Sequence, residues 1–513
     1  MQTIMNHNFS KSAEVNVPRS TFKRHHGVKT TFDAGKMIPI FIENTVLPGD
    51  TIKLKLHAKT ILATPIFAPL DNMFLETFFF YVPYRLLWTN FKKFMGEQTD
   101  PGDTIDYTIP QVTNIHTAGS ESLTDYFGLP TQIATNLSAN AWAYRAHNLI
   151  FNEWIRDQNL QDSLTVNTGD GPDSIADYSL YNRCKQHDYF TSCLPYLTKQ
   201  DPVELPIGTS APVAIATSTA GTGYLGVLDA NTGNYVRMTY ALDDRLLDDL
   251  TAQTNVSSRL YADLSSATAS TVNELRTATQ VQELLELNVR SGSRYTEIVH
   301  SEFGVTSPDS RLQRPEYLGG GSSLINITPI ARTDSSPGVL GSVGETSISG
   351  HGFNKSFTEH GVIIGYANVR ADLTYSEGMD RTWSDQTKYD LYTPLLAHLG
   401  EQAVLNKEIF CDGSANDTDV FGYQECWSHL RYKKSMITGK FRPNDPASLE
   451  AWHLSQEFGS VPTLDATFIQ SNPPIDRIIA VPTQPHFIYD SYIEMEHTRP
   501  MPTYSIPGLT SRF

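Results

Sequence analysis

The chain has 513 residues, of which 40% are hydrophobic and 11% aromatic, while only 19% are charged. This length allows roughly three domains or one large β domain with long insertions, and the low charge content predicts that much of the surface faces protein. The net charge of −17 excludes a protein whose whole surface binds a polyanion, because neutralising phosphates requires a basic face.

The cysteines and the N-terminus indicate the compartment in which the chain folds. The four cysteines show no zinc-ligand spacing: Cys184, Cys193, Cys411 and Cys426. We expect buried free thiols, because a chain of this length does not need disulfides for stability. Residues 1–20 contain no apolar signal region, and no apolar run approaches the roughly 20 residues of a membrane helix. We therefore expect a chain that folds in a cytosol without membrane insertion.

The first predicted region, residues 1–35, is a polar arm without a periodic pattern. It carries five basic residues against two acidic ones, which is a positive sign in an acidic protein. Four of the basic residues are candidates for contact with nucleic acid: Arg19, Lys23, Arg24 and Lys29. A solvated or partner-bound terminus explains the same composition equally well.

Two adjacent segments predict long strands. Residues 51–62 alternate apolar and mostly basic side chains with a period of two, which predicts a half-buried strand with Ile52, Leu54 and Leu56 facing inward. Residues 73–82 (MFLETFFFYV) are aromatic on both faces of the pleat. One face then needs a facing sheet, and the other needs a loop layer or another subunit. Two antiparallel strands of this kind predict a β-sandwich.

The stretch that follows is also rich in aromatic residues. Tyr84 and Trp88 are candidates for packing between subunits, because aromatic side chains concentrate in interface cores. Burial in the ordinary core of the chain is the equally supported alternative. Farther along, residues 141–160 carry apolar side chains at spacings near 3.6, which predicts a helix that caps a sheet edge or end.

The composition changes between residues 206 and 280, where Lys, Phe, Trp and Cys are absent and Ala, Ser, Thr, Gly and Asp dominate. Such a segment cannot build a dense core, so we interpret it as an insertion that projects from the main domain. Leu242, Leu246 and Leu250 predict a short helix that would pack against sister copies of the chain. A flexible linker is the alternative.

The C-terminal part returns to the main body through a helix predicted at residues 272–289. Three further strands are predicted at residues 358–373, 468–481 and 486–492. The terminal segment 499–513 is rich in proline and aromatic residues, and its Tyr504 and Phe513 are candidates for contact between subunits.

The predicted fold class is mainly β, an eight-stranded jelly roll with long inter-strand insertions that contain short helices. The sheets of such a fold use only about 60 residues, so most of this chain lies in the insertions. Four regions result: a basic N-terminal arm (1–35), the first part of the core (36–205), a surface insertion (206–280), and the second part of the core with its terminal interface segment (281–513).

The sequence shows no pattern for catalysis, cofactor binding or metal binding. Gly319-Gly320-Gly321 lacks the Lys-Ser/Thr of a phosphate loop, and neither GxSxG nor HExxH occurs. The oxygen-rich loop at residues 412–419 lacks the glycine and distal glutamate of an EF-hand. We therefore expect no enzymatic activity, no cofactor and no metal.

Basic residues alternate with aromatic ones near residue 432. Arg431, Lys433 and Lys434 surround Tyr432, a pattern suited to neutralising a nucleic-acid backbone while stacking a base. An edge strand guarded by lysines explains the pattern equally well.

Seven long stretches resemble the major capsid proteins of small single-stranded DNA bacteriophages of the family Microviridae, on the gokushovirus side. They are TPIFAPLDNMFLETFFFYVPYRL (64–86), KQHDYFTSCLPY (185–196), SRYTEIVHSEFGVTSPDSRLQRPEYLGGGS (293–322), SFTEHGVIIGYANVRADLTY (356–375), LAHLGEQAVLNKEIF (396–410), NPPIDRIIAVPTQPHF (472–487) and RPMPTYSIPGL (499–509). The segment that matches poorly is the 206–280 insertion.

The resemblance implies a viral jelly roll with one copy per icosahedral asymmetric unit, assembled in the host bacterial cytoplasm around circular single-stranded DNA. It implies that the 206–280 insertion forms a protrusion at the threefold axes, where it contacts a host receptor. It also implies an internal scaffolding protein and a minor pilot protein as partners.

The acidic chain and the packaged DNA need a further cation. A chain of −17 cannot neutralise the phosphates, so we hypothesise a small basic packaging peptide, which the resemblance also implies. The alternative function from another class is a carbohydrate-binding or carbohydrate-active jelly-roll protein. A nucleic-acid-binding protein that forms no shell is a third alternative, weakened by the acidic balance.

Overall fold

The computed structural model describes residues 17–131, 133, 135–199, 203, 271–331 and 340–505, together with the backbone of five short strands between residues 213 and 262. The chain divides into two compact units. The first comprises Met1–Leu197 and Ser291–Phe513, and the second comprises Thr198–Arg290. The predicted 206–280 insertion lies within the second unit.

One antiparallel sheet dominates the first unit. Within the described residues it contains nine strands, which are β1 Ser20–Lys23, β2 His26–Phe32, β3 Ile38–Val46, β4 Thr51–Leu62, β5 Met73–Pro83, β6 Glu316–Ala331, β7 Leu340–Ser356, β8 Gly361–Ala371 and β9 Phe487–Arg499. β1 and β2 pair with successive parts of β9, so the strand order has eight positions: β1/β2, β9, β4, β7, β6, β5, β8, β3. The prediction of a mainly β fold is confirmed.

The sheet curls until its two edges approach each other. β2 and β3 lie at opposite ends of the strand order, yet the rings of His26 and Phe41 stack with centroids 5.9 Å apart. Arg24 Nη1, just before β2, lies 2.6 Å from Glu43 Oε2 on β3. The two opposed layers that the sequence predicts are therefore two halves of one continuous sheet.

The inner surface of this sheet forms the main core. β4 confirms the predicted alternation, because Ile52, Leu54 and Leu56 are buried while Lys53 and Lys55 are exposed. Eight of the strands, β2 to β9, contribute to the same hydrophobic cluster, for example through Phe32, Ile40, Leu54, Phe79, Ile325, Ile348, Ile363 and Ile493. Burial of this alternating face is what holds the curled sheet together.

β5 is covered on both faces, as its sequence predicts. Phe79 points into the main core, whereas Phe80 belongs to a second hydrophobic cluster on the outer face. That second cluster is covered by the helix α1, Trp142–Ile150, which continues as a π-helical turn over Phe151–Ile155. The helix therefore covers a sheet face, and the predicted need for an outer layer on β5 is met by the chain itself.

The remaining elements are short or lie outside this sheet. Two longer helices are α2, Val272–Arg290, in the second unit, and α3, Tyr295–Phe303, in the first. The short helices are Tyr84–Leu87, Phe91–Phe94, Leu123–Tyr126, Asn406–Ile409, Ser428–Arg431 and Ala466–Ile469. The 3-10 turns are Ile115–Thr117, Ile175–Asp177, Arg381–Ser384, Pro394–Leu396, Ala415–Thr418, Gly439–Phe441, Glu450–Trp452 and Ile475–Arg477. The short strands are Gln111–Thr113, Ala139–Asn140, Asp173–Ser174, Glu401–Leu405 and Val420–Glu425.

Two features of the second unit bear on the predictions. The helix predicted at residues 272–289 is confirmed by α2. The predicted helix of Leu242, Leu246 and Leu250 is wrong at its centre, because Leu246 begins the strand Leu246–Asp249, while Leu242 and Leu250 lie outside the described residues. That strand pairs with Tyr235–Tyr240, a partner which a four-residue leucine spacing does not reveal.

The other strands of the second unit are Gly226–Leu228, which also pairs with Tyr235–Tyr240, and the pair of Val213–Ile215 with Leu260–Ala262. Within the described part of the chain, none of the helices combines the length and the apolar character needed to cross a bilayer.

One predicted strand near the C-terminus is wrong. Residues 468–481 contain the end of the helix Ala466–Ile469 and the 3-10 turn Ile475–Arg477 in place of a strand. The Asp465 carboxylate accepts hydrogen bonds from the Thr467 and Phe468 amides, which starts a helical turn that competes with the extended conformation. The strand predicted at residues 486–492 is confirmed by β9.

Candidate assembly surfaces

The aromatic stretch after β5 is buried inside the chain. The ring of Tyr84 stacks on Trp142 with centroids 4.1 Å apart, and its hydroxyl donates to the Asn44 carbonyl. Trp88 is 0% exposed, and its Nε1 donates to Asp170 Oδ1 over 2.6 Å. The prediction that Tyr84 and Trp88 contact another subunit is therefore wrong, because helix α1 already covers both side chains.

A buried ion pair holds this helix in place. Arg145 on α1 binds Asp173 through two parallel contacts, Nε to Oδ2 at 2.7 Å and Nη2 to Oδ1 at 2.8 Å. Its Nη1 donates to the Leu87 carbonyl over 2.9 Å, and the Tyr178 hydroxyl donates to Asp173 Oδ2. Both charges are buried but have hydrogen-bond partners, so the pair ties α1 to the Tyr84–Leu87 turn. The sequence does not reveal this pair, because no motif links residues that lie 28 positions apart.

The same helix carries a buried histidine. His147 Nδ1 lies 3.0 Å from the Tyr366 hydroxyl on β8, and Nε2 lies 3.1 Å from the Ser179 carbonyl. Burial lowers the pKa of His147 to about 3. The imidazole is therefore neutral at physiological pH and acts as a structural bridge between helix and sheet.

Arg24, one of the predicted DNA contacts, belongs to an ionic network where the sheet edges approach each other. Besides Glu43, its Nη1 contacts His497 Nδ1 at 3.1 Å. His497 Nε2 and Arg499 Nη2 each lie 2.9 Å from Asp50 Oδ2. Burial raises the pKa of Asp50, but hydrogen bonds led by that from Arg499 outweigh it, so the pKa lies below its usual value. The Arg24 side chain therefore stabilises the fold through these contacts.

The other predicted basic residues of the arm lie on or beside the strands β1 and β2. Lys29 Nζ is 2.6 Å from Asp490 Oδ2, and both side chains are exposed. Arg19 donates to the Gly49 carbonyl, and Lys23 lies opposite Glu496 in the strand register. Acids of β9 therefore offset part of this positive charge. The first 16 residues of the arm lie outside the described residues.

The second predicted basic cluster points in two directions. Arg431 and Lys433 are exposed, and Lys433 Nζ lies 3.6 Å from Asp380. Lys434 turns inward, where its Nζ donates to the Glu408 carbonyl over 2.9 Å and burial lowers its pKa. Arg431 also contacts Glu425, so both exposed cations have an acidic neighbour, and Lys434 is a structural residue.

The predicted C-terminal contact lies partly outside the described residues. Tyr504 is exposed, so it remains available to a partner, while Phe513 is not among the described residues. Leu246 of the second unit also remains a prediction, since only its backbone is described.

A more extensive apolar surface lies in residues 380–400, between β8 and the strand Glu401–Leu405. We call it the exposed apolar segment. Six of its large apolar side chains are exposed, Trp383 by 81%, Leu395 by 94%, and with them Tyr389, Leu391, Tyr392 and Leu399, whereas Leu396 is half-buried. The predictions from sequence do not include it, although Leu391, Leu395 and Leu399 recur at the four-residue spacing of one helix face. That spacing is the signal by which the segment could have been found.

An aromatic cavity of about 360 Å³ lies on the outer face of β5 and β6, and its lining includes Phe78, Phe80, Trp154, Tyr317 and Arg183. The Arg183 guanidinium stands 4.9 Å above the centre of the Phe78 ring. Stacked rings suit a sugar, but a glycoside hydrolase also needs paired carboxylates, and the described lining contains none. The cavity therefore does not support the carbohydrate-active alternative.

In the oxygen-rich loop at residues 412–419, carboxylate oxygens accept hydrogen bonds from backbone amides of the same loop. The Asp417 carboxylate accepts hydrogen bonds from the Asp412 and Gly413 amides and from Cys411 Sγ. Among the residues that the structure describes, no group of three or more His, Cys, Asp or Glu side chains is arranged to hold a metal ion.

The curled sheet and its long insertions do not by themselves define a function, so the chain was compared with known proteins. The capsid protein (F protein) family matches residues 10–509. The chain belongs to this family. It is 43% identical to the capsid protein VP1 of Bdellovibrio phage phiMH2K, over 99% of this chain and 98% of that protein. It is 39% identical to VP1 of Chlamydia phage 1 and 33% identical to VP1 of Spiroplasma virus 4, with at least 97% of each chain covered.

Membership of this family shows the role and the location of the chain. It is a capsid protein of gokushovirus-like Microviridae, small single-stranded DNA phages, and it resides in the virion capsid. A capsid protein assembles with copies of itself. The family is structural, which confirms the expectation that the chain is not an enzyme.

Proposed function

We propose that copies of this chain assemble into a closed icosahedral shell, with one copy per asymmetric unit, around circular single-stranded DNA. The observation that carries the proposal is the family match over nearly the whole chain. Shell formation uses modest contacts, because symmetry repeats each one and several neighbours hold each copy.

The strand order supports a viral jelly roll as the architecture. Apart from β1, which pairs with the end of β9, the sheet consists of two groups of four strands, β2-β9-β4-β7 and β3-β8-β5-β6. The long strand β6 joins them, since residues 316–325 pair with β5 and residues 326–331 pair with β7. Both groups bury side chains in one core, as the two sheets of a jelly roll do.

Electron microscopy of the expressed protein tests this function. Closed, uniform particles are expected, with the internal scaffolding protein co-expressed if the chain alone stays unassembled. Persistent monomers under both conditions, or monomers that bind or cleave a glycan, would contradict the proposal.

The second unit is proposed to form a surface protrusion that contacts the host receptor. Two observations support this role: Thr198–Arg290 is compact by itself, and the sequence of residues 206–280 lacks Lys, Phe, Trp and Cys. Replacing residues 206–280 by a short Gly/Ser linker is expected to leave shell formation intact and to abolish attachment to host cells. Loss of shells with unchanged attachment would show the opposite division of roles.

Packaged DNA is proposed to be neutralised mainly by a separate small basic peptide, because this chain carries −17. Five exposed or half-buried basic residues are proposed to add local contacts with DNA: Arg19, Lys23, Lys29, Arg431 and Lys433. Purified particles are expected to contain a basic peptide or polyamine in proportion to their DNA. Particles that hold DNA with neither would overturn this part of the proposal. A minor pilot protein remains a further proposed partner.

A further inference from the structure

We propose that the exposed apolar segment, residues 380–400, is a contact surface through which one copy of the chain binds a second copy. This inference rests on the proposed function, because it assigns one of the contacts that assembly requires.

The segment exposes six large apolar side chains between Trp383 and Leu399. Fully buried aromatic side chains cover about 150–250 Å² each, so Trp383, Tyr389 and Tyr392 alone present several hundred Å² to solvent. A standard interface buries roughly 800 Å² per partner. The leucines of the segment bring the available area close to that value. An exposed apolar area of this size is typical of an interaction site.

Polar bonds fix the first half of the segment. Arg381 Nη1 donates to the Ala403 carbonyl over 2.7 Å and to Glu408 Oε1 over 3.0 Å. The Asp390 carboxylate accepts hydrogen bonds from the Gln386 and Thr387 amides, which also lower its pKa. The backbone therefore has a defined conformation although its side chains face solvent.

The second half is anchored to Trp427. Its Nε1 donates to the Leu396 carbonyl over 2.9 Å, and its ring meets Tyr392 edge to face with centroids 5.6 Å apart. Leu395, next to this anchor, is left pointing away from the protein. Because the backbone of the segment is already ordered, binding through its apolar side chains costs less conformational entropy.

The composition of the segment favours a protein partner over DNA. Between residues 380 and 400, two basic residues face three acidic ones, so the surface offers no net positive charge to a phosphate backbone. Exposed Trp and Tyr side chains are typical of interface cores. Since the capsid is built from many copies of this chain, the partner that each copy always meets is a second copy.

Alanine variants test the proposal in the full-length chain. Trp383→Ala and Leu395→Ala are expected to raise the concentration needed for particle assembly by about tenfold or more, since central interface residues often contribute more than 1.4 kcal/mol. Leu70→Ala is the matched control, because Leu70 is 72% exposed but lies outside the segment, and it is expected to assemble normally. Assembly of both segment variants at the wild-type concentration would overturn the proposal.

Thiol labelling separates a contact between copies from a contact within one chain. In a Cys411→Ser background, which removes an exposed native thiol, Leu395→Cys is expected to react rapidly with a maleimide in unassembled chains and at least tenfold more slowly in shells. Equal reaction rates in both states, or protection already in the unassembled chain, would contradict a contact between copies.

These outcomes distinguish the inference from the proposed function. If the wild-type chain forms no particles, the proposed function fails. If the wild-type chain and all segment variants form particles equally well, only the inference fails. If labelling of Leu395→Cys is blocked only when another virion protein is added, that protein occupies the segment and the inference fails.

Discussion

Two aromatic segments of this chain have opposite fates. Tyr84 and Trp88 directly follow β5 and are buried beneath helix α1, whereas Trp383 and its neighbours in the exposed apolar segment face solvent. The sequence predicts the first segment equally well as an interface or as ordinary core, and no prediction from sequence covers the second. The contrast teaches that aromatic content shows how much surface must be covered, but not whether the same chain provides the cover.

The two segments differ in what holds their backbones. The Tyr84–Leu87 turn continues from a sheet strand, so its direction is set by β5 and its side chains meet α1. Residues 380–400 are positioned by hydrogen bonds to polar groups and by one tryptophan, Trp427. The aromatic side chains after β5 are buried by apolar packing. In residues 380–400 the backbone is held by polar contacts, so the apolar side chains remain exposed.

Removing the buried tryptophan should have the largest effect. Trp88→Ala is expected to lower the free energy of unfolding by about 3–5 kcal/mol, because it deletes a fully buried aromatic ring and leaves a cavity. Chemical denaturation of the unassembled chain measures the change. A loss below about 1 kcal/mol would mean that Trp88 does not belong to the hydrophobic core, which would contradict the difference drawn between the two segments.

Acidification should weaken the buried region selectively. The pKa of His147 is about 3 in the folded chain, against about 6.5 when unfolded, so the unfolded state binds more protons between these values. Stability from this group is therefore complete above pH 6.5 and falls by about 1.4 kcal/mol per pH unit below it, or about 2 kcal/mol by pH 5. Unfolding midpoints across this range provide the measurement.

The histidine variant supplies the control for that pH dependence. His147→Gln keeps a polar side chain without the titrating group, so its stability should vary less between pH 7 and pH 5 than that of the wild type. An identical pH dependence in both proteins would assign the acid sensitivity to other residues, such as the Asp50 network.

A smaller effect is expected where only one hydrogen bond is lost. Tyr84→Phe removes the hydroxyl that donates to the Asn44 carbonyl but keeps the ring stacked on Trp142. Unfolding experiments should show a loss of about 1 kcal/mol. A loss as large as that of Trp88→Ala would indicate that the hydroxyl, and not the ring, anchors the segment.

The smallest effect should come from the exposed tryptophan. Trp383→Ala is expected to change the free energy of unfolding of the unassembled chain by no more than about 0.5 kcal/mol, because the ring is 81% exposed. Paired denaturation curves with Trp88→Ala make the contrast direct. Strong destabilisation by Trp383→Ala would place that ring in the fold and remove it from the predicted contact between copies.

Much of the fold could be predicted from local pattern. The period-two alternation of β4 specified a strand and its buried face, and the doubly apolar β5 specified that both of its faces would be covered. The apolar spacing at residues 141–160 located α1, although the regular helix ends at Ile150. These predictions succeeded because the direction of a side chain from a strand or helix follows from backbone geometry alone.

The candidate site was less predictable, because its residues are joined over long sequence separations. Arg24 and Lys29 were selected as basic residues, but their acidic partners lie on β3 and β9, and Asp490 is 461 positions away from Lys29. No sequence motif predicts the pairing of Arg145 with Asp173. A basic residue in sequence is a free cation only if the fold brings no acid beside it.

By itself, the sequence determined the family, the mainly β class and the buried faces of the strands, because each of these is encoded in residues that are neighbours along the chain. Only the tertiary structure decided that Trp88 is covered and Trp383 is not, and that the edges of the sheet approach each other at Arg24 and Glu43. The physical reason is that burial depends on which distant segment packs against a side chain, and that packing is a property of the whole folded chain.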